Sequence, residues 1–265
     1  MELFDTHAHF EGTAEETAAM LGRAFAAGVV RVMAVGGSEE LNAGVALAAD
    51  VASGRVAAPD SGVRFPEVFR AVGWDRDQIG RELPELSYDG VHAVGEIGLD
   101  YHYSPETRRD QMELFGRQLE LARALDLPVI IHTRDADDDT LGLLREIPSR
   151  GVVHSFTGGP VFCRSLLDLG FYVSMSGIVT FRAADNVRES AMVVPDDRLL
   201  VETDTPFLAP VPKRGNPNEP AFVVHTAEFL ASLRGMTAEA LAAKTTANAL
   251  AAFRPPAVSS AEERR

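Results

Sequence analysis

The sequence predicts an α/β fold, a single-domain (β/α)8 barrel of the TIM type. Three observations carry this expectation. Short apolar, β-rich runs recur eight times, most followed by an amphipathic helical pattern, which is the signature of βαβ units and a parallel sheet. The chain has 265 residues, 46% of them hydrophobic, close to what such a barrel uses as one unit. The chemically active polar residues cluster where the apolar runs stop, the end at which α/β barrels carry their sites.

In chain order, the strands are expected at residues 3–6, 29–35, 69–73, 92–95, 128–131, 151–153, 171–174 and 199–201. Apolar residues three and four apart predict helices over 13–27, 39–51, 108–125, 136–145 and 160–169, with Thr107 and Asp135 as N-caps for two of them. Residues 221–233 and 237–253 read as closing helices. Two Pro- and Gly-rich stretches, 53–66 and 213–220, read as long loops. The barrel is expected to span 1–253, with 254–265 a frayed tail. An open doubly wound sheet is the alternative architecture, but no Gly-rich phosphate fingerprint follows any strand.

Composition narrows the function. Cys163 is the only cysteine, so neither an intrachain disulfide nor a thiolate zinc site is available, and it reads as a small buried residue. The net charge of −14 repels polyanions at long range, which argues against an extended grip on duplex DNA. A pocket taking a strand end is still open, because bound cations would dominate its local field. The first residues lack a basic start and an apolar run, and no stretch is long and apolar enough to span a membrane. A cytoplasmic location is the expectation, with no membrane and no obligate protein partner.

The strand ends carry the chemistry. Asp5-Thr6-His7-Ala8-His9 places two imidazoles two residues apart, so both can face the barrel mouth. Glu96 follows the fourth apolar run in Val94-Gly95-Glu96-Ile97-Gly98-Leu99-Asp100, where its two oxygens can bridge two cations; Asp100 reads as a supporting acid. His132 and His154 each follow directly on an apolar run. Leu200-Val201-Glu202-Thr203-Asp204 ends the eighth, with Asp204 placed to meet a metal and accept a proton. Glu202, one step deeper, suits an outer partner of a ligating histidine. Arg134 offers a donor fork for phosphate or carboxylate, or a salt bridge to Asp135. The joint placement of four of the seven histidines and two acids implies Zn, Mn or Mg ions, as a pair. His92, His102 and His225 read as structural or exposed.

These motifs resemble the TatD family of metal-dependent deoxyribonucleases, within the amidohydrolase-like barrel superfamily. The resemblance runs from Phe4 to about Phe253. It rests on Phe4-Asp5-Thr6-His7-Ala8-His9, Gly95-Glu96-Ile97-Gly98-Leu99-Asp100-Tyr101, the His132-Thr133-Arg134 and His154-Ser155-Phe156-Thr157-Gly158 segments, and Glu202-Thr203-Asp204-Thr205-Pro206. Arg214-Gly215-Asn216-Pro217 and Asn248 are similar to later motifs. The resemblance implies that His7, His9 and Asp204 bind one cation, His132 and His154 bind a second, and Glu96 bridges them. It implies that Asp204 takes the proton of the attacking water, and that Arg134, Arg182 and Arg214 hold substrate phosphates. Where the family has Gly-Val-His-Pro-His, the matching stretch here is Ala71-Val72-Gly73-Trp74-Asp75, without either histidine. Trp74 then stands either to stack on a base or to fill the pocket rim.

The expected activity is a two-metal phosphodiesterase acting on DNA ends. Hydrolysis of a small-molecule ester, amide or phosphoester is the alternative, and a non-catalytic binding barrel is the third.

Overall fold

The computed structural model describes residues 1–56 and 62–253; residues 57–61 of the expected loop and the expected tail, 254–265, lie outside the described residues. Eight strands form one all-parallel sheet in sequential order: β1 Leu3–Ala8, β2 Val29–Gly37, β3 Glu67–Trp74, β4 Ala93–Asp100, β5 Val129–Arg134, β6 Gly151–Val153, β7 Tyr172–Met175 and β8 Leu199–Val201. The sheet closes on itself. Ala8 bridges Thr205 in parallel, the His9 N–H donates to the Thr205 carbonyl at 2.9 Å, and the Asp204 N–H donates to that of His7 at 2.9 Å. The (β/α)8 barrel expected from the sequence is therefore the fold.

Helices wrap the outside: α1 Ala14–Ala26, α2 Glu39–Ala52, α3 Arg108–Ala124, α4 Asp137–Glu146, α5 Pro160–Asp168, α6 Asp185–Val193, α7 Val223–Leu233 and α8 Ala238–Ala252. Local sequence explains their starts. Thr13 and Glu16 form a reciprocal capping box on α1, and Ser38 and Thr237 cap α2 and α8 through their hydroxyls. A hydroxyl cap of this kind contributes about 1 kcal/mol. Along α1, Thr17, Ala18, Leu21 and Ala24 are buried at spacings of one, three and three, which lays one face on the sheet.

Two capping expectations are corrected. Thr107 sits at the start of α3 but makes no cap bond; its hydroxyl donates to the Ser104 carbonyl instead. Ala136, not Asp135, precedes α4, because Asp135 is already committed to a left-handed turn at φ 54°. Helix α6 was not expected: its buried face is Val187, Ser190 and Ala191, too short and too polar to register as a periodic pattern.

Two apolar cores result. The outer one lies between strands and helices. The inner one fills the barrel with Phe4, Met33, Phe69, Ile130, Val152 and Leu200, and Phe253 packs against Phe4 at 6.2 Å between centroids. Phe4 belongs to the inner core, whereas Leu3 and Ala8 belong to the outer one. Strict alternation would put Phe4 and Ala8 on the same side. A register shift between Asp5 and Ala8 breaks it, so three residues of β1 advance against two of β2. Similar shifts fall between Val94 and Ile97 in β4 and between Val35 and Gly37 opposite β3. Bulges of this kind re-aim side chains at barrel rims. Those in β1 and between β2 and β3 lie toward the carboxyl ends of their strands, and the one in β4 spans Glu96.

Candidate metal centre

The strands run further than their apolar stretches. β1 continues through His7, β4 through Glu96 to Asp100, and β5 through His132 to Arg134. The apolar run stops because the side chains begin to face a polar cavity, while the backbone ladder continues. Glu96 and His132 thus lie inside strands rather than after them. His9, His154 and Asp204 come from the segments just beyond β1, β6 and β8.

The barrel brings the six predicted donors together. His7 Nε2 and His9 Nε2 are 3.2 Å apart. Glu96 Oε2 lies 3.4 and 3.5 Å from them, and Asp204 Oδ1 lies 3.8 Å from each. His7, His9 and Asp204 form one compact set able to hold a metal ion, with Glu96 Oε2 beside both imidazoles. A second set adjoins it. Glu96 Oε1 is 3.2 Å from His132 Nδ1 and 3.3 Å from His154 Nε2, and those nitrogens are 3.3 Å apart. Three donors in a triangle leave one face open, as catalytic metal sites do.

The outward nitrogens explain why the inward ones are bare. His9 Nδ1–H donates to the Val35 carbonyl at 2.9 Å. His132 Nε2–H donates to Asp100 Oδ2 at 3.0 Å, which leaves Nδ1 as its inward atom. His154 Nδ1–H donates to Glu202 Oε1 at 3.3 Å, and Glu202 also accepts the Ser155 N–H at 2.7 Å. Asp100 and Glu202 thus bond the outward nitrogens of His132 and His154. With those protons outward, the inward nitrogens of His132 and His154 lie 3.3 Å apart and that of His9 lies 3.2 Å from His7 Nε2, close enough to share a cation, while His7 Nδ1 is buried without a partner among the described residues. The donor set fits divalent metal binding.

Charge agrees with this geometry. Burial drives His7 down to about 3, reinforced by His154. Burial pushes Asp204 up to about 7 against the pull of His154 and His9, with Glu202 and Glu96 adding to the rise. Burial would lower His154, but Glu96 and Glu202 outweigh it and hold it well above its ordinary value. Burial would likewise raise Glu96, yet the surrounding imidazoles keep it well below the carboxylate range.

Above the donors opens a cavity of about 590 Å³. Its lining includes Arg134, whose guanidinium lies 5.0 Å from the Tyr103 ring and donates to the Tyr103 hydroxyl at 3.1 Å. Asp135 pairs with His102 at 3.1 Å rather than with Arg134. Arg182 and Arg214 do not line the cavity; Arg214 stacks 4.0 Å over Phe181 in the rim loops. Trp74 is also absent from it. Only 7% exposed, it borders a separate groove with Ser38 and Gln78, and Gln118 clamps its main chain. The third strand instead contributes Asp75, Arg76 and Asp77. The strand-end rule, applied one residue beyond Asp75, would have found Arg76.

Comparison with known proteins agrees with this arrangement. The family model described as TatD related DNase matches residues 4–254. The chain belongs to the TatD-related DNase family. Among relatives, it is 54% identical over 163 residues to the uncharacterized metal-dependent hydrolase YcfH of Escherichia coli K12, a match covering 60% of this chain and 62% of that protein. It is 39% identical over 175 residues to a protein of Erwinia billingiae named 3'-5' ssDNA/RNA exonuclease TatD, covering 63% of this chain and 67% of that one. The crystal structure of YjjV, a TatD homologue from Escherichia coli K12, superposes with a TM-score of 0.79 at 28% identity, covering 96% of this chain and 98% of that one. Within this TatD-related fold, no helix among the described residues is long and apolar enough to cross a membrane.

Proposed function

We propose that this chain is a metal-dependent phosphodiesterase that hydrolyses single-stranded DNA from its ends. One observation carries the reading: six N/O donors from five strands and the segments just beyond them converge as two sets beside Glu96. In this reading His7, His9 and Asp204 hold one divalent ion and His132 and His154 the other, whether Zn, Mn or Mg. Bound there, such a pair lowers the pKa of water and neutralises charge on phosphoryl oxygens.

The chain's own residues do the rest. Asp204 accepts the proton of the attacking water from its place beside His7 and His9. Asp100 and Glu202 fix the rings of His132 and His154. Arg134 stands at the mouth, where a phosphate of the strand would pass. The name of the Erwinia relative supports a nucleic-acid strand as substrate.

A second reading, hydrolysis of a small phosphoester, is favoured by Asp75 and Asp77, which place two acids beside the donors and repel a polyanion. Convergence of all six donors weighs against a silent binding barrel. The test is incubation of metal-loaded protein with end-labelled single-stranded DNA, alongside a panel of small phosphoesters, esters and amides. Stepwise shortening of the DNA, absent in Asp204→Asn protein, is expected. Intact DNA with Mg, Mn and Zn, together with turnover of a small ester, would replace the first reading by the second.

A further inference from the structure

The guanidinium of Arg76 is set into the wall of the cavity with only 20% of its side chain exposed. It makes no hydrogen bond among the described residues. Its nearest carboxylate oxygens, Asp77 Oδ2 and Glu96 Oε1, are 3.6 and 3.7 Å away, beyond hydrogen-bond reach. Its Nε is fully buried without a partner. A buried Nε–H without a partner is costly, and the two Nη groups, open to the cavity, make no hydrogen bond among the described residues; native structures satisfy such donors with a ligand or water.

Its position is built, not incidental. Gln118 clamps the residues before it, accepting the Trp74 N–H at 2.8 Å and donating to the Trp74 carbonyl at 2.5 Å. The Asp75 N–H donates to the Gly37 carbonyl at 2.8 Å. The Asp75 carboxylate caps the following turn by accepting the Asp77 N–H at 2.8 Å and Gln78 Nε2–H at 3.2 Å. The main chain that carries the fork is thus fixed on both sides, so only the side chain is left to order on binding an oxyanion. The nearby oxygen is also informative. Glu96 Oε1 is the one shared with His132 and His154, so Arg76 borders the donor triangle that has an open face.

We propose that Arg76 is a substrate-contacting residue, forming with that open face a subsite for the non-bridging oxygens of the phosphoryl group undergoing hydrolysis. This rests on the phosphodiesterase reading above. The fork complements the geometry of a phosphate, and it faces oxygens on which charge builds as the group transfers. Arg76, rather than the rim residues Arg182 and Arg214, then supplies the guanidinium nearest the chemistry. It occupies a place in the third-strand segment where the sequence lacks the histidines of the family pattern.

The experiment titrates inorganic phosphate into metal-loaded wild-type, Arg76→Gln and Arg76→Lys protein by calorimetry, with metal content measured on each. In parallel it measures kcat and KM on end-labelled single-stranded DNA. Wild type is expected to bind phosphate, Arg76→Gln at least tenfold more weakly, and Arg76→Lys, which keeps the charge without the fork, at least threefold more weakly. On DNA, Arg76→Gln is expected to lose roughly a hundredfold in kcat, as loss of one preorganised donor does. If Arg76→Gln fails to fold or to hold its metals, Arg76→Lys decides. No phosphate binding by wild type, or variants within twofold of it, overturns the proposal. Arg76-dependent phosphate binding by a wild type that leaves DNA intact would keep the subsite and remove the nuclease reading.

Discussion

His7 and His154 stack face to face, with ring centroids 3.8 Å apart and planes 13° from parallel, yet their Nε2 atoms meet different oxygens of Glu96. The two donor sets are thus two sides of one carboxylate. Removing Glu96 should disturb both, whereas removing His132 should disturb one. Elemental analysis of purified protein is expected to give two ions per chain for wild type, about one for His132→Ala and fewer than one for Glu96→Ala. Equal losses in the two variants would break the bridging assignment.

Asp204 stands at φ 63°, in the left-handed region, while its main chain bridges to His7 and Phe207. Asparagine tolerates that backbone; alanine is strained there. Asp204→Asn should therefore keep the thermal midpoint within a few degrees of wild type, yet lower kcat by ~10²–10⁴, the span of a lost general base. An Asp204→Asn protein that retains full kcat would show that the proton goes elsewhere.

Two outer acids divide the labour. Asp100 holds His132 alone among the metal donors, whereas Glu202 holds His154 and forms a compact cluster with His7. Each substitution, Asp100→Asn and Glu202→Gln, is expected to weaken metal binding by ~10–100-fold, as outer-partner changes do. Competitive chelator titration should show Asp100→Asn weakening one ion and Glu202→Gln both. A Glu202→Gln protein with wild-type affinity for both ions would contradict this.

Proton and metal compete for the same atoms. Without metal, burial pushes Asp204 up to about 7, and Glu96 with Glu202 holds His154 well above its ordinary value. Both therefore hold protons more firmly than free groups do, and binding must displace them. Apparent metal affinity is expected to rise as pH climbs from 6 to 8. Calorimetry in buffers of different ionisation enthalpy should detect net proton release. Flat affinity over that window with no proton exchange would contradict the assignment.

The limits of sequence reading here are physical. His7, His132, His154 and Asp204 were legible because a polar donor after an apolar run, repeated around a barrel, converges on one mouth. Strand extent was not: the ladder through Glu96 and His132 continues after side chains stop being apolar. The bulges in β1 and β4 that re-aim His7 and Glu96 are backbone events without a residue signature. Nor does sequence say that His132 turns Nδ1 inward, since Asp100 sets that from another strand. The family resemblance implies Arg182 and Arg214 at the phosphate, yet neither lines the cavity: Arg214 stacks over Phe181, and the cavity wall holds Arg76 instead.

The central claim is that four imidazoles and two acids form one two-ion centre. Anomalous diffraction from crystals grown with manganese tests it most directly. Two peaks are expected, one between His7, His9, Asp204 and Glu96, the other between Glu96, His132 and His154. Peaks away from these side chains, or none at either place in manganese-saturated crystals, would contradict it.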